Sequence, residues 1–307
     1  MINLIIDGMK VSVPEGTKVI EAAKEVGVEI PALCYDKNLE IVSSCRLCVV
    51  DIEGERKPLT ACSTPVREGM VVHTESDKVV GIRKQLLRLL LDNHPNDCLT
   101  CQKSGECYLQ RYAYRYDVAF RVHDGERRGK DTAGFSDTSS PYILRDESKC
   151  ILCGKCVRTC GEVATRAVLT FANRGFYTKI SADMDQSLEE SSCVSCNRCV
   201  TVCPVGALID RRVYDEKMRS WDVSRSVIKC KSCDYGCNFE VLKKDDKKVI
   251  RARNPLNGRP LCLKGRLMTE AENNTTLRMP YKKVEENGKR VFKQVSWAEA
   301  LELDTSL

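Results

Sequence analysis

The sequence predicts an α+β protein assembled from several small cysteine-bearing domains, on three observations. Short alternating and short helical hydrophobic patterns are both present and succeed one another along the chain. The 19 cysteines of the 307-residue chain fall into tight groups. Two of those groups repeat one spacing. At this length more than one domain is expected.

Residues 2–13 read as a hairpin: Ile2, Leu4 and Ile6 alternate, Asp7-Gly8 suits a type I′ turn, and Val11 and Val13 resume the alternation. A short helix is expected next, capped by Thr17, with Val19, Ile20 and Ala23 inward and Gly27 ending it. After a cysteine-bearing loop, Val49-Val50-Asp51-Ile52 reads as a strand and Glu53-Gly54 as a turn. From Val79 to Leu91 the periodicity predicts a helix with Ile82, Leu86, Leu89 and Leu90 on its apolar face. Residues 124–141 are polar and rich in Gly and Ser, as a linker is. The expected divisions are 1–78, 79–123, the linker 124–141, 142–212, 226–280, and a hairpin-like tail over 281–307 with a turn at Asn287-Gly288.

Nothing near Met1 resembles a signal peptide, and no apolar run approaches the roughly 20 residues that span a bilayer. The expectation is a soluble, cytoplasmic chain with no membrane contact. In that compartment many cysteines, odd in number, point to metal or redox chemistry rather than to disulfides. The formal charge of +6 omits any bound ions. Four all-cysteine clusters and one with a histidine ligand would add roughly −9, leaving the loaded protein near −3. The basic pairs Arg127-Arg128 and Lys247-Lys248 therefore read as solvated surface, and no nucleic-acid motif accompanies them.

The cysteines and one histidine sort into five sets of four. Cys34, Cys45, Cys48 and Cys62 are spaced C-x10-C-x2-C-x13-C. A loop carrying three thiolates plus one distant thiolate suits a [2Fe–2S] rhomb, although the first gap is wider than in plant-type ferredoxins. Four-cysteine zinc sites compete at this spacing. His94, Cys98, Cys101 and Cys107 follow as H-x3-C-x2-C-x5-C. On its own His94 reads as a residue favourable at a helix C-terminus. Three neighbouring cysteines and the four corners of a cubane make it a ligand candidate instead. His73 and His123 lack such company and read as surface or packing residues.

Cys150, Cys153, Cys156 and Cys160 match C-x2-C-x2-C-x3-C, and Cys193, Cys196, Cys199 and Cys203 repeat it; Pro204 completes the second copy, while Gly161 stands at that place in the first. This is the run of two-cluster bacterial ferredoxins, in which the fourth cysteine ligates the other cluster. Cys150, Cys153, Cys156 and Cys203 are thus expected to hold one [4Fe–4S] cluster, and Cys193, Cys196, Cys199 and Cys160 the other. The last set, Cys230, Cys233, Cys237 and Cys262, is spaced C-x2-C-x3-C-x24-C. It suits a further [4Fe–4S] cluster, and a zinc ribbon would have the same pattern.

The stretch ALCYDKNLEIVSSCRLCVVDIEG…TACSTPVREGMVV resembles the N-terminal domain of the large iron–sulfur subunit of respiratory complex I. The same module occurs in [FeFe]-hydrogenases and NAD-linked formate dehydrogenases, and the resemblance implies a β-grasp [2Fe–2S] ferredoxin fold. HPNDCLTCQKSGECYLQ is similar to the histidine-ligated [4Fe–4S] segment of those families. CKSCDYGCNFEV…NPLNGRPLCLKGR resembles the N-terminal cluster domain of molybdenum or tungsten bis-pterin enzymes. There a lysine two residues beyond the fourth cysteine lies between cluster and pterin, which makes Lys264 a candidate electron relay; the alternative is an exposed lysine.

The implied cofactors are one [2Fe–2S] and four [4Fe–4S] clusters, with no flavin, NAD or pterin in this chain. No G-x-G-x-x-G fingerprint or P-loop occurs, and RVFKQVSWAEALELDTSL looks like the opening of a bis-pterin catalytic region. The expected function is single-electron transfer in a hetero-oligomeric, NAD(P)-linked complex. The resemblance implies an FMN- and NAD(P)-binding flavoprotein of complex I type, a small [2Fe–2S] subunit, and ferredoxin or a second flavoprotein as partners. Electron-bifurcating transhydrogenases of the Sporomusa type are the most compatible family. A formate dehydrogenase whose catalytic part lies elsewhere and a zinc-stabilised scaffold are the alternatives.

Overall fold

Asp7 and Gly8 both take positive φ, 47° and 82°, the backbone that a two-residue type I′ turn demands. This turn joins β1 (Ile2–Ile6) to β2 (Met9–Val13), paired antiparallel from Ile2–Val13 to Ile6–Met9. The computed structural model describes residues 1–118, 135–231, 233–250, 262–270, 280–286 and 289–301. It divides into two units, Met1–Asp222 and Val223–Leu307.

In the first unit α1 (Val19–Glu25) is followed by β3 (Val49–Ile52), β4 (Leu59–Thr60) and β5 (Val71–His73). The sheet order is β2-β1-β5-β3-β4, with β1 and β5 parallel and the other pairs antiparallel. Leu4, Ile6, Val11, Val13, Val19, Ile20, Val50 and Val72 form its core, together with Cys48 and Cys62. Each such aliphatic side chain contributes about 1.5–3 kcal/mol on burial. The expected cap is displaced by one residue. Lys18 is the N-cap of α1 and makes no side-chain capping bond, while the Thr17 hydroxyl donates to Pro14 O at 2.7 Å to close the preceding turn.

The long helix α2 (Asp77–Asp92) starts at Ser76, whose hydroxyl accepts the Val79 N–H. Its buried stripe is Val79, Arg83, Leu87 and Leu91. The expected face of Ile82, Leu86, Leu89 and Leu90 is not the buried one, and Leu89 is 55% exposed. The reason is Arg83, a charged residue with no exposure at all, which masks the true stripe in the sequence. α3 (Tyr108–Arg115) packs with α2: Leu87, Leu91, Leu109, Tyr112 and Tyr116 share one core with Leu33, Leu47, Val205 and Ala207.

β6 (Ile143–Arg145), α4 (Lys155–Arg158), β7 (Leu169–Ala172), β8 (Lys179–Ala182), α5 (Arg198–Val202), β9 (Leu208–Asp210) and α6 (Arg211–Asp215) complete the unit. β6 pairs with β9, and β7 with β8, both antiparallel. Of the stretch 124–141, residues up to 134 lie outside the described residues, as do His123 and Arg127-Arg128. Its end is held in place. The Ser136 N–H donates to Arg145 O at 2.8 Å, and the Asp137 carboxylate accepts the Leu188 N–H at 2.8 Å.

In the second unit β10 (Ser224–Lys229), β11 (Asn238–Lys244) and β12 (Lys247–Ile250) form an antiparallel meander. α7 (Leu263–Arg266), the paired strands β13 (Tyr281–Glu286) and β14 (Lys289–Gln294), and α8 (Trp297–Ala300) follow. The Asn287-Gly288 turn lies outside the described residues, as do residues 251–261 with the whole NPLNGRPL stretch. Among the described residues no helix is long and apolar enough to cross a membrane.

Candidate metal centres

The first set comes together as two pairs. Cys34 and Cys45 are hydrogen-bonding neighbours, as are Cys48 and Cys62. In each pair one sulfur is held as acceptor. The Cys34 thiol is pushed down to about 5, first by the Cys45 thiol, and Cys45 is pushed up by Cys34 and by burial. Cys62 is likewise lowered to about 7, first by Cys48 and further by the Ser43 hydroxyl, while Cys48 is raised. Backbone amides also face the sulfurs. Leu33 N points at Cys45 Sγ and Cys45 N at Cys34 Sγ, each at 3.5 Å. Positive φ at Ser43 and Arg46 turns the loop to allow this. Two thiol pairs with amide donors suit two irons, each taking two thiolates.

Arg83 holds that loop from below. It donates to Leu47 O at 3.1 Å, Val49 O at 2.7 Å and Thr74 O at 2.8 Å, and it meets the Tyr116 hydroxyl and Glu75. Leu47 and Val49 flank Cys48. A charged residue inside an apolar helix face was the one sequence signal for this clamp, and its pattern reads as surface.

In the second set Cys98, Cys101 and Cys107 act on one another, and burial raises all three thiols, Cys107 to about 11. Cys107 is the N-cap of α3. His94 follows the C-terminus of α2 and is 6% exposed. It lines a cavity of about 330 Å³ whose walls include Cys45 from the first set and Cys150 and Cys153 from the third. Its Nδ1 accepts the Asn96 N–H at 3.3 Å. His73, by contrast, is exposed and pairs with Glu53 at 3.0 Å.

In the repeated motif each trio of cysteines has the fourth cysteine of the other copy beside it. Burial raises the Cys156 thiol, and its neighbours Cys153, Cys203, Cys150 and Cys199 raise it further. Around Cys199 they are Cys196, Cys193, Cys160 and Cys203. Cys150, Cys153, Cys156 and Cys203 all line a cavity of about 470 Å³. The loop geometry is duplicated too. Leu152 and Gly154 have positive φ in the first copy, as Ser195 and Asn197 do in the second. The amides of Leu152 and Ser195 each meet a sulfur, Cys150 Sγ and Cys193 Sγ, at 3.4 Å. Left-handed residues at alternate positions turn successive N–H groups inward, a concavity suited to negative charge.

The second and third sets adjoin. A Cβ on Gly206 would come within 2.8 Å of Cys101 Sγ, so only glycine fits where the Cys203 loop passes that thiol. Lys149, beside Cys150, spans Asp97 at 3.0 Å and Asp146 at 2.8 Å. Burial works to lower its pKa, and the two carboxylates outweigh that and raise it.

In the second unit Cys230 N donates to Cys237 O at 2.6 Å, and Cys230 is buried while Cys233 and Cys262 are exposed. Cys262 caps α7, its sulfur accepting from Gly265 N at 3.4 Å. A Cβ at Gly265 would stand 2.6 Å from the Phe239 ring and 3.6 Å from Cys230 Sγ, so α7 lies against the Cys230 loop. Lys264 is exposed on α7. Among the described residues no three His, Cys, Asp or Glu side chains converge where one metal ion would sit.

Three families match consecutive stretches: a 2Fe-2S iron–sulfur cluster binding domain over residues 1–77, the NADH-ubiquinone oxidoreductase-G iron–sulfur binding region over 83–121, and a 4Fe-4S dicluster domain over 144–210. A chain of an NAD+-reducing [NiFe]-hydrogenase in its H2-reduced state superposes with a TM-score of 0.62 at 30% identity, covering 68% of this chain and 87% of that one. The chain belongs to the family of iron–sulfur subunits found in NADH-quinone oxidoreductases and NAD-reducing hydrogenases. Within that family the NADP-reducing hydrogenase subunit HndD of Solidesulfovibrio fructosivorans is 42% identical over 68% of this chain. The NADH-quinone oxidoreductase-G protein of Rickettsia prowazekii is 34% identical over 98% of it. The chain spans 36% and 43% of the lengths of these two relatives.

Proposed function

We propose that this chain carries single electrons through one [2Fe–2S] and four [4Fe–4S] clusters within a hetero-oligomeric, NAD(P)-linked oxidoreductase. The ligands are Cys34, Cys45, Cys48 and Cys62; His94, Cys98, Cys101 and Cys107; the two exchanged quartets of the double motif; and Cys230, Cys233, Cys237 and Cys262. The observation that carries this reading is a shared apolar core: Cys45, Cys107, Cys150 and Cys203, from three different sets, all pack on it. Neighbouring sets in one dry medium favour transfer between them and exclude water from the route. The sheet order β2-β1-β5-β3-β4 supports a β-grasp ferredoxin around the first set.

A hydride must be split into single electrons by a flavin before such centres accept it. The partner is therefore an FMN- and NAD(P)-binding flavoprotein, accompanied by a small [2Fe–2S] subunit, with ferredoxin or a second flavoprotein at the far end. An electron-bifurcating transhydrogenase is the assembly we favour. After anaerobic purification, iron and acid-labile sulfide should each approach about 18 per chain. The isolated chain should be reduced by dithionite, stay inert to NADH, and become NADH-reducible when the flavoprotein is added. Stoichiometric zinc without sulfide would refute the reading, and molybdenum or tungsten in the purified complex would redirect it to formate oxidation.

A further inference from the structure

The Arg158 guanidinium, at the end of α4, joins two ligand sets that are far apart in sequence. Its Nη2 donates to Cys34 O at 2.7 Å and to Cys153 O at 3.2 Å, and its Nη1 donates to Glu40 O at 2.5 Å. Two further contacts span the same seam: Lys155 pairs with Asp36 at 3.4 Å, and the Glu40 N–H donates to the Glu162 carboxylate at 2.9 Å. Arg158 Nε is buried with no hydrogen-bond partner among the described residues. It lies 4.0 Å from where a Cβ on Gly154 would stand, within the loop between Cys153 and Cys156. A buried cationic N–H left unspent against this loop is costly unless negative charge faces it.

We infer that Arg158 is a positioning residue for electron transfer, which fixes the Cys34 set against the Cys150 set and raises the reduction potentials of both. The inference rests on the proposal that these two sets hold clusters. Reduction adds one electron and no proton, so each cluster becomes one unit more negative. A fixed positive charge favours the reduced form more than the oxidised one, so the potential rises. Arginine keeps its charge at any physiological pH, and its planar fork can serve two carbonyls at once, which lysine cannot. A unit charge roughly 10 Å from another, at an effective dielectric of about 20, changes an equilibrium about tenfold.

The test is an EPR-monitored dithionite titration of the full, cluster-loaded chain. Arg158→Met should lower the reduction equilibrium constants of the [2Fe–2S] centre and of one [4Fe–4S] centre together, each about tenfold, or about 59 mV for one electron. Arg158→Lys, which restores charge without the fork, should bring both most of the way back. It should also weaken the mutual broadening of the two signals when both centres are reduced, because the seam is looser. If Arg158→Met does not retain its clusters, Arg158→Gln removes the charge while keeping a donor, and the same paired lowering is expected. A purely structural arginine would alter stability and leave the midpoints alone. Both signals present with unmoved midpoints in the neutral variants, or a shift in only one centre, overturns the inference alone. Absence of both signals from the parent chain overturns the cluster reading and the inference with it.

Discussion

Replacing Arg83 by Met tests how the [2Fe–2S] loop is held. The substitution keeps most of the stem volume and removes the fork that satisfies Leu47 O, Val49 O and Thr74 O. A buried carbonyl left without a donor costs about 1 kcal/mol at the low end, so three cost about 3 kcal/mol. The ion pair with Glu75 adds little, because the Glu75 side chain is 41% exposed. The Tyr116 hydroxyl loses one partner and retains Glu75 at 2.9 Å. The total of about 3 kcal/mol falls at the lower edge of what breaking a buried charged pair costs, roughly 3–5 kcal/mol. With a urea slope of about 1–3 kcal/mol/M, the midpoint should fall by about 1–3 M. The probe is the visible circular dichroism of the [2Fe–2S] centre, since Leu47 and Val49 flank Cys48 and that signal should be lost first. Arg83→Lys, which offers a single point donor, should recover only part of the loss. An Arg83→Met protein with an unshifted midpoint and an intact [2Fe–2S] signal would refute the clamp.

Two further outcomes follow from the candidate ligand sets. His94→Cys should keep a cubane and lower its midpoint, because thiolate in place of neutral imidazole adds a negative charge; an unchanged spectrum and midpoint by EPR titration would show that the histidine is not bound. Cys203→Ser should perturb the same [4Fe–4S] signal as Cys150→Ser, and Cys160→Ser the same signal as Cys193→Ser; perturbation following the linear order of the motif would refute the exchange.

Much of this architecture is legible in residue spacing, because the physics involved is local. Asp7-Gly8 specifies its turn through backbone sterics alone, and the hairpin falls where the alternation puts it. The two copies of C-x2-C-x2-C-x3-C fold into matching loops, with positive φ at Leu152 and Gly154 and at Ser195 and Asn197. What escapes such reading depends on partners remote in sequence. The buried face of α2 is hidden because Arg83 counts as polar, while its carbonyl partners lie as many as 36 residues away. Thr17 looks like a cap, yet its hydroxyl is taken by Pro14. Leu152 and Ser195 give no hint of their positive φ, a conformation uncommon outside Gly, Asn and Asp. Arg158 resembles any surface cation until Cys34 and Glu40 are brought to it.

The proposed exchange of fourth cysteines also has a consequence in time. A ribosome delivers Cys150, Cys153, Cys156 and Cys160 well before Cys193, yet the ligation proposed above groups the first three with Cys203 and the fourth with the later trio. Neither quartet of thiols exists until the second motif has emerged and β9 has paired with β6. The nascent first motif is therefore three adjacent thiols and one stray, open to oxidation or to the wrong metal. Maturation of the two centres would be all-or-none, and a chain interrupted between residues 160 and 193 would carry three ligands of one quartet, one of the other and the whole of neither.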